Sequence, residues 1–413
     1  MSHFLNLQIS NWQQFHSLDI DLSERVTLLT GANGSGKTTI LNLLARHCGW
    51  TPQSLATPYK LSASGGFHFL ARAPAIATKH SLYRIGYLHY GGTASAKIEV
   101  PSLNSAQYEI ELSGMIGVPC VYIPSHRPVF RYKPLEAITT KKMNADDAFR
   151  DFSNESQSHY TGYSRRDGSV SFSMKNALIS WLIQGYGVSH NNKKIMPADE
   201  SQQQYFEGFQ TVLKKLLPES IGFESIEARN MEIVFVCHGE NNDFILENSS
   251  GGVSSIINIA WQIYFYSLSH GEVFTVMIDE IENHLHPKLQ REILPNLVKA
   301  FPTAKFIVTT HSPLVISSLQ HAKVYVFRHN QLGRVEALSL DFNDEAKTAT
   351  EILDEVLGVS VSIPIWAENE LKKILGDHSK KIDETNFENI ILELKAAGLG
   401  KFIPMVIARN LRD

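Results

Sequence analysis

One stretch constrains this chain more than any other: Gly31-Ala32-Asn33-Gly34-Ser35-Gly36-Lys37-Thr38-Thr39. It matches G-x-x-x-x-G-K-[ST], a loop that holds the phosphates of a nucleoside triphosphate. Its glycines remove Cβ atoms where backbone N–H groups must turn inward onto phosphate oxygens. Lys37 brings positive charge to the β- and γ-phosphates, and the Thr38 hydroxyl suits Mg²⁺. The flanks agree with this reading. Val26-Thr27-Leu28-Leu29 reads as a buried strand. Ile40-Leu41-Asn42-Leu43-Leu44-Ala45 reads as the helix whose positive N-terminus faces the phosphates. Strand, loop and helix in this order predict an α/β fold.

Three more segments carry chemistry. Met277-Ile278-Asp279-Glu280 is an apolar strand ending in two acids. Asp279 there can hold Mg²⁺ through water, and Glu280 can polarise an attacking water. Phe306-Ile307-Val308-Thr309-Thr310-His311 is a second apolar strand, placing His311 within reach of a γ-phosphate. Asn248-Ser249-Ser250-Gly251-Gly252-Val253-Ser254 precedes a buried helix over 256–268. Its free N–H groups suit an anion, although an ordinary helix cap uses the same residues.

Composition bounds the rest. The 413 residues leave room for two domains, or for one large domain with insertions. A net charge of −4 excludes a chain that is basic all over, so any nucleic-acid contact needs a local patch. Arg127, Arg131, Lys133, Lys141 and Lys142, with Phe130 and Tyr132 interleaved, form the candidate. A solvated surface explains them equally well. Cys48, Cys120 and Cys237 make no C-x-x-C and no metal-ligand spacing. No apolar run approaches the roughly 20 residues that cross a bilayer. The first residues carry no basic signal segment. The expectation is a cytoplasmic protein with no membrane contact.

Along the chain, 3–30 reads as three strands, and 60–123 as an antiparallel β subdomain punctuated by glycines. Residues 125–170 are polar and read as an irregular, partner-ordered insertion. Helices are expected over 175–183 and 202–217, the latter stopped by Pro218. A hairpin is expected over 231–246, and a helix over 289–300 between two central strands. The tail is periodic over 351–357, 367–375 and 387–397. The expected divisions are an N-terminal lobe over 1–124, a helical and polar insertion over 125–220, a C-terminal lobe over 221–340 and a helical tail over 341–413.

The four motifs in this order resemble the ATP-binding-cassette (ABC) ATPase superfamily. Asp279-Glu280-Ile281-Glu282-Asn283-His284-Leu285-His286-Pro287 is similar to the D-E-x-E-x-H-L-H-P block of its OLD-family and RecF-like, AAA-type members, common in bacterial anti-phage defence. Asn11-Trp12-Gln13-Gln14-Phe15 and Val121-Tyr122-Ile123-Pro124-Ser125-His126-Arg127 share that resemblance. It implies an ABC-type P-loop ATPase head that binds ATP and Mg²⁺. Asp279 and Thr38 would hold the metal, Glu280 and His311 would be catalytic, and residues 31–39 would wrap the phosphates. It also implies a homodimer or higher homo-oligomer in which Ser249 or Ser250, with Gly251, contacts the partner's ATP. The register between the two serines stays open, and the usual signature leucine and Glu or Gln are missing. No glutamine follows Tyr122, so Ser125, His126 or Arg127 takes the place of the usual metal-sensing residue. His284 and His286 lack a third metal ligand.

The signature lies about 210 residues after the P-loop, too far for a loop, so a folded insertion intervenes. It holds no heptads of the SMC kind. The tail lacks the D-x-D of the OLD nucleases, so no nuclease is expected here. A sensor or scaffold ATPase for a separate effector, a nuclease or a toxin, follows as in Septu- or PARIS-like systems. The alternative is a RecF-like repair clamp that binds duplex DNA directly. A transporter cassette ranks last.

Overall fold

The computed structural model describes residues 2–60, 67–70, 82–101, 106–139, 142–160, 169–191, 193–239, 242–271 and 273–340. Beyond 350 it describes 351–352, 366–367, 369–370, 373–374, 384–400 and 403. The chain divides into two units, 1–348 and 349–413.

The first unit is organised by an 11-stranded sheet. In chain order its strands are β1 (Phe4–Trp12), β2 (Phe15–Asp21), β3 (Val26–Gly31), β4 (Leu82–Tyr90), β5 (Ser95–Pro101), β6 (Glu111–Ser113), β7 (Cys120–Ile123), β8 (Phe274–Ile278), β9 (Ala304–Thr309), β10 (Lys323–His329) and β11 (Val335–Leu340). Across the sheet they run β6-β5-β4-β1-β2-β11-β10-β3-β9-β8-β7. The half from β10 to β7 is parallel. Its strands β3, β7 and β8 are buried at every position. Continuous apolar runs are what a parallel strand covered on both faces requires. The other half is largely antiparallel, and β1 and β2 alternate between buried and exposed residues. The expected β subdomain is present as β4–β6. It extends the main sheet through the pairing of β1 with β4.

The helices are α1 (Lys37–Ala45), α2 (Ala145–Tyr160), α3 (Val170–Tyr186), α4 (Glu200–Leu216), α5 (Gly251–His270), α6 (Pro287–Ala300), α7 (Pro313–Ile316) and α8 (Glu384–Ala396). The stretch 125–170, read from its polarity as irregular, holds the 16-residue α2. Ala148, Phe152 and Ser156 recur at helical spacing and are all buried, so one narrow face suffices to dock a polar helix. Helices α2 to α5 share an aromatic core. Trp181 stacks on Trp261 at 5.7 Å, Phe265 lies 4.8 Å from Trp181, and Phe209 lies edge-on to Trp261 at 5.1 Å. The expected hairpin forms within a three-stranded antiparallel sheet over 223–245.

Trp12 and Phe15 are buried core residues. The second unit has its own cluster of Ala367, Ile374, Ile390, Leu394 and Leu399. Its helix α8 matches the periodicity read at 387–397. Most of the expected helix over 351–357 lies outside the described residues.

Candidate functional site

Parallel strands present their following loops at one sheet edge, which is where such sheets bind ligands. Four adjacent loops meet there: the P-loop after β3, Asp279-Glu280 after β8, Thr310-His311 after β9, and Pro124 to Arg127 after β7. Register sets the meeting. Ile278 pairs with Val308 and with Ile123, so Asp279, Thr309 and the start of the 124–127 strap emerge side by side.

Two glycines of the P-loop are required on steric grounds. Gly31 has φ +141°, and a Cβ there would lie 2.4 Å from the Phe327 carbonyl oxygen. Gly36 has φ +94°, and its Cβ would lie 2.3 Å from the Phe15 ring. Ala32, Asn33 and Gly34 are exposed, while Thr39 is half-buried in the first turn of α1. Ser35 is buried, and its Oγ has no protein partner. Lys37 is 5% exposed and its Nζ donates to the Gly31 and Ala32 carbonyls, both at 3.1 Å. Burial pulls its pKa down to about 8, against the attraction of Asp279, Glu280 and Glu282. A phosphate brought to this amine supplies the countercharge that burial removes.

Asp279 is 1% exposed. It accepts from Thr38 Oγ1 at 2.9 and 3.1 Å, and from Thr309 Oγ1 at 2.6 Å. Burial raises its pKa, while the Thr309, Thr38 and Ser125 hydroxyls pull it down. A buried carboxylate converging with a threonine hydroxyl is a hard-oxygen pair that fits Mg²⁺. Glu280 stands next to it with φ +45°, a left-handed backbone uncommon for a non-glycine residue. Its N–H donates to Thr309 Oγ1 at 2.7 Å. Its Oε2 accepts from Asn283 Nδ2 at 2.7 Å, and its Oε1 lies 3.9 Å from His311 Nε2. Burial and then Lys37 lower the His311 pKa, which favours the neutral ring. The His311 N–H donates to Glu282.

The structure thus brings together Lys37, Thr38, Asp279, Glu280 and His311 as read from the sequence. Ser249 and Gly251 line a cleft with Arg127, Ser255 and His284 that holds no P-loop residue. Ser249 and Ser250 line a groove with Ser220, Ile221, Asn242 and Phe244, a set containing no P-loop residue. Ser249 Oγ donates to the Leu246 carbonyl at 2.8 Å. Ser250 is the exposed N-cap of α5, and its side chain makes no capping bond.

Sequence reasoning missed three participants, Thr309, Glu282 and Asn283, and had Arg127 only as a patch cation or as one of three candidates for the metal-sensing place. The parallel register would have found Thr309. Arg127, read as part of a basic surface, is only 8% exposed. It donates to Ser255 Oγ at 3.0 Å and to the Asp279 and Glu280 carbonyls at 3.2 Å each. Burial lowers its pKa to about 10, held up by Glu282, Asp279 and Glu280. The patch loses Lys142 as a free charge too, since its Nζ lies 2.6 Å from Asp199. Lys141 lies outside the described residues. His284 packs against Gly251 and Gly252, and His286 caps α6. Among the described residues no helix is long and apolar enough to cross a membrane.

This fold and this site define an ABC-type P-loop ATPase. Comparison with known proteins agrees. Residues 6–114 match a family described as "AAA domain", and residues 182–317 match "AAA domain, putative AbiEii toxin, Type IV TA system". The Septu protein PtuA of Bacillus thuringiensis is 23% identical over 406 residues, covering 93% of this chain and 90% of that protein. The "Retron Vc95 probable ATPase" of Vibrio cholerae serotype O1 biovar El Tor is 23% identical, over 84% of this chain and 77% of its own length. The DNA replication and repair protein RecF of Chlorobium luteolum is 26% identical over 133 residues, 32% of this chain and 35% of that protein. The chain therefore resembles a Septu protein and a probable retron ATPase over most of its length, and RecF over a third.

Proposed function

We propose that this protein hydrolyses ATP in a head-to-tail dimer and uses that cycle to regulate a separate effector, a nuclease, in bacterial anti-phage defence. The observation that carries the ATPase reading is the convergence of Lys37, Thr38, Asp279, Glu280 and His311 at one edge of the parallel sheet. Mg²⁺ held by Thr38 and Asp279 would neutralise phosphate charge. Gly31, Asn33, Gly34, Ser35, Gly36 and Thr39 shape the loop whose N–H groups bind the phosphates. Lys37 neutralises them. Glu280 orients the attacking water and takes its proton, with Asn283 fixing the carboxylate. His311, neutral, accepts or donates a hydrogen bond at the γ-phosphate.

Ser250 is the preferred signature serine, because the Ser249 hydroxyl is already committed to Leu246. Its place on a surface apart from the P-loop fits a role in the partner's site. The defence reading rests on likeness to PtuA and the retron ATPase across nearly the whole chain. The effector is proposed to be another chain.

Glu280→Gln should lower turnover by about 100-fold or more and trap ATP and the closed dimer. Unchanged turnover would remove Glu280 as the base. Purification with its native flanking genes should recover a stoichiometric effector. A homo-oligomer that instead retains DNA would move the assignment to the RecF-like clamp, the reading favoured by the RecF match.

A further inference from the structure

Glu280 is held from an unexpected side. Its left-handed backbone, φ +45°, persists only where surroundings over-determine it. Thr309 takes its N–H at 2.7 Å, and Arg127 donates to its carbonyl at 3.2 Å. Arg127 also donates to the preceding carbonyl, that of Asp279, at 3.2 Å. Its other terminal nitrogen donates to Ser255 Oγ at 3.0 Å, and Ser255 Oγ reaches the Asn283 carbonyl at 3.4 Å. Asn283 in turn donates to the Glu280 carboxylate and to the Ser125 carbonyl. Both the backbone and the carboxylate of Glu280 are thus tied to one buried network. Ser255 lies one turn into α5, whose first residues carry Ser250 and Gly251.

We propose that Arg127 is a positioning residue for hydrolysis, clamping Glu280 in its left-handed pose and coupling that pose through Ser255 to the signature end of α5. This rests on the reading of Glu280 as the base. The guanidinium suits the task because its planar fork serves three acceptors at fixed angles, which an ammonium on a flexible stem does not. The signature end of α5 is the part that meets the partner's ATP in that reading. A shift of α5 on engaging that nucleotide passes through one side chain to Glu280 of its own site. Each site then senses the other.

The test uses the full chain with Mg²⁺ and ATP, comparing wild type, Glu280→Gln, Arg127→Lys and Ser255→Ala. ATP affinity comes from equilibrium binding, kcat and its ATP dependence from phosphate release, and folding from thermal melts. Ser255→Ala removes the bridge yet keeps the buried cation and its carbonyl partners, so it guards against a fold defect in the arginine variant. Expected are ATP affinities within about twofold of wild type and kcat lower by about 10- to 100-fold, since small misplacement of a reacting group costs that much. Cooperativity of ATP hydrolysis is expected in wild type and should disappear in Ser255→Ala. Wild-type kcat and cooperativity in both variants overturns the proposal. So does a fall in affinity and melting temperature together with kcat, the mark of a purely structural role. Normal turnover in Glu280→Gln locates the failure one step earlier, in the base assignment itself.

Discussion

A single hydroxyl shows how much the site asks of its side chains. Thr309 Oγ1 donates to Asp279 and accepts the Glu280 N–H, so it organises both acids at once. Thr309→Val keeps the shape and removes both bonds. It should cost about 1–3 kcal/mol, the usual penalty for a buried group left unsatisfied. Denaturant unfolding reads that cost, and kcat should fall further than ATP affinity. Lys175 makes the same point away from the site. Its side chain is fully buried, with Nζ 2.5 Å from Glu232 and 2.7 Å from Glu247, and lies 4.8 Å over the Tyr132 ring. Burial pulls its pKa down, but the two carboxylates outweigh this and raise it overall. A raised lysine pKa stabilises fully below the ordinary value near 10.4 and is lost only as pH rises through the folded value, so neutral pH leaves it intact. Lys175→Ala leaves the buried Glu247 carboxylate without its cation and should cost about 3–5 kcal/mol in urea unfolding at neutral pH.

At the level of elements, the insertion is bonded to the ATPase core at several points. The ring of Tyr160, at the end of α2, lies 5.1 Å from that of Trp50. Lys175 of α3 reaches Glu247 in the turn just before Ser249. Helix α4 begins at Asp199, whose carboxylate accepts from the Ser201 and Gln202 N–H groups. Lys142 and Ser201 hold its pKa down to about 2. Losing this cap in Asp199→Ala should cost about 0.5–2 kcal/mol near pH 7. A depressed carboxylate stabilises above its ordinary pKa near 3.9 and loses that effect as pH falls toward the folded value. The gap between wild type and mutant should therefore close between about pH 4 and pH 2. A gap that persisted at the acid end would assign the stability to packing and not to charge.

For the whole molecule, the testable matter is whether two chains complete each other's sites. Glu280→Gln spoils the acid end of a site, and a bulky Ser250→Arg spoils the signature end. Each variant alone should be inactive. In a head-to-tail pair, mixing them leaves one intact composite site per heterodimer, so about half the activity of a wild-type dimer should return in those pairs. Mixtures as inactive as their components would place the whole reaction within one chain. The same mixing at graded ratios gives the population of heterodimers by mass spectrometry, which ties recovered activity to assembly.

The P-loop, the two apolar strands ending in Asp279-Glu280 and His311, and the parallel core were legible in the sequence because each is a local pattern. A glycine required by backbone approach, an acid after an apolar run and a continuous apolar strand declare themselves within a few residues. The helix hidden in the polar stretch before residue 160 was not legible, since few of its positions, Ala145, Asp147, Ala148, Phe152 and Ser156, are buried, and they pack on α3 and α5 from distant sequence. Arg127 read either as a surface cation or as one of three candidates for the metal-sensing place, because charge in a sequence carries no sign of burial. Its acceptors lie 128 to 153 residues away. Only the parallel register of β7, β8 and β9 brings them together. The residues proposed to meet the phosphates were thus written locally, and the support of Glu280, the proposed base, was decided by tertiary structure, where distant backbone carbonyls become one binding site for a guanidinium.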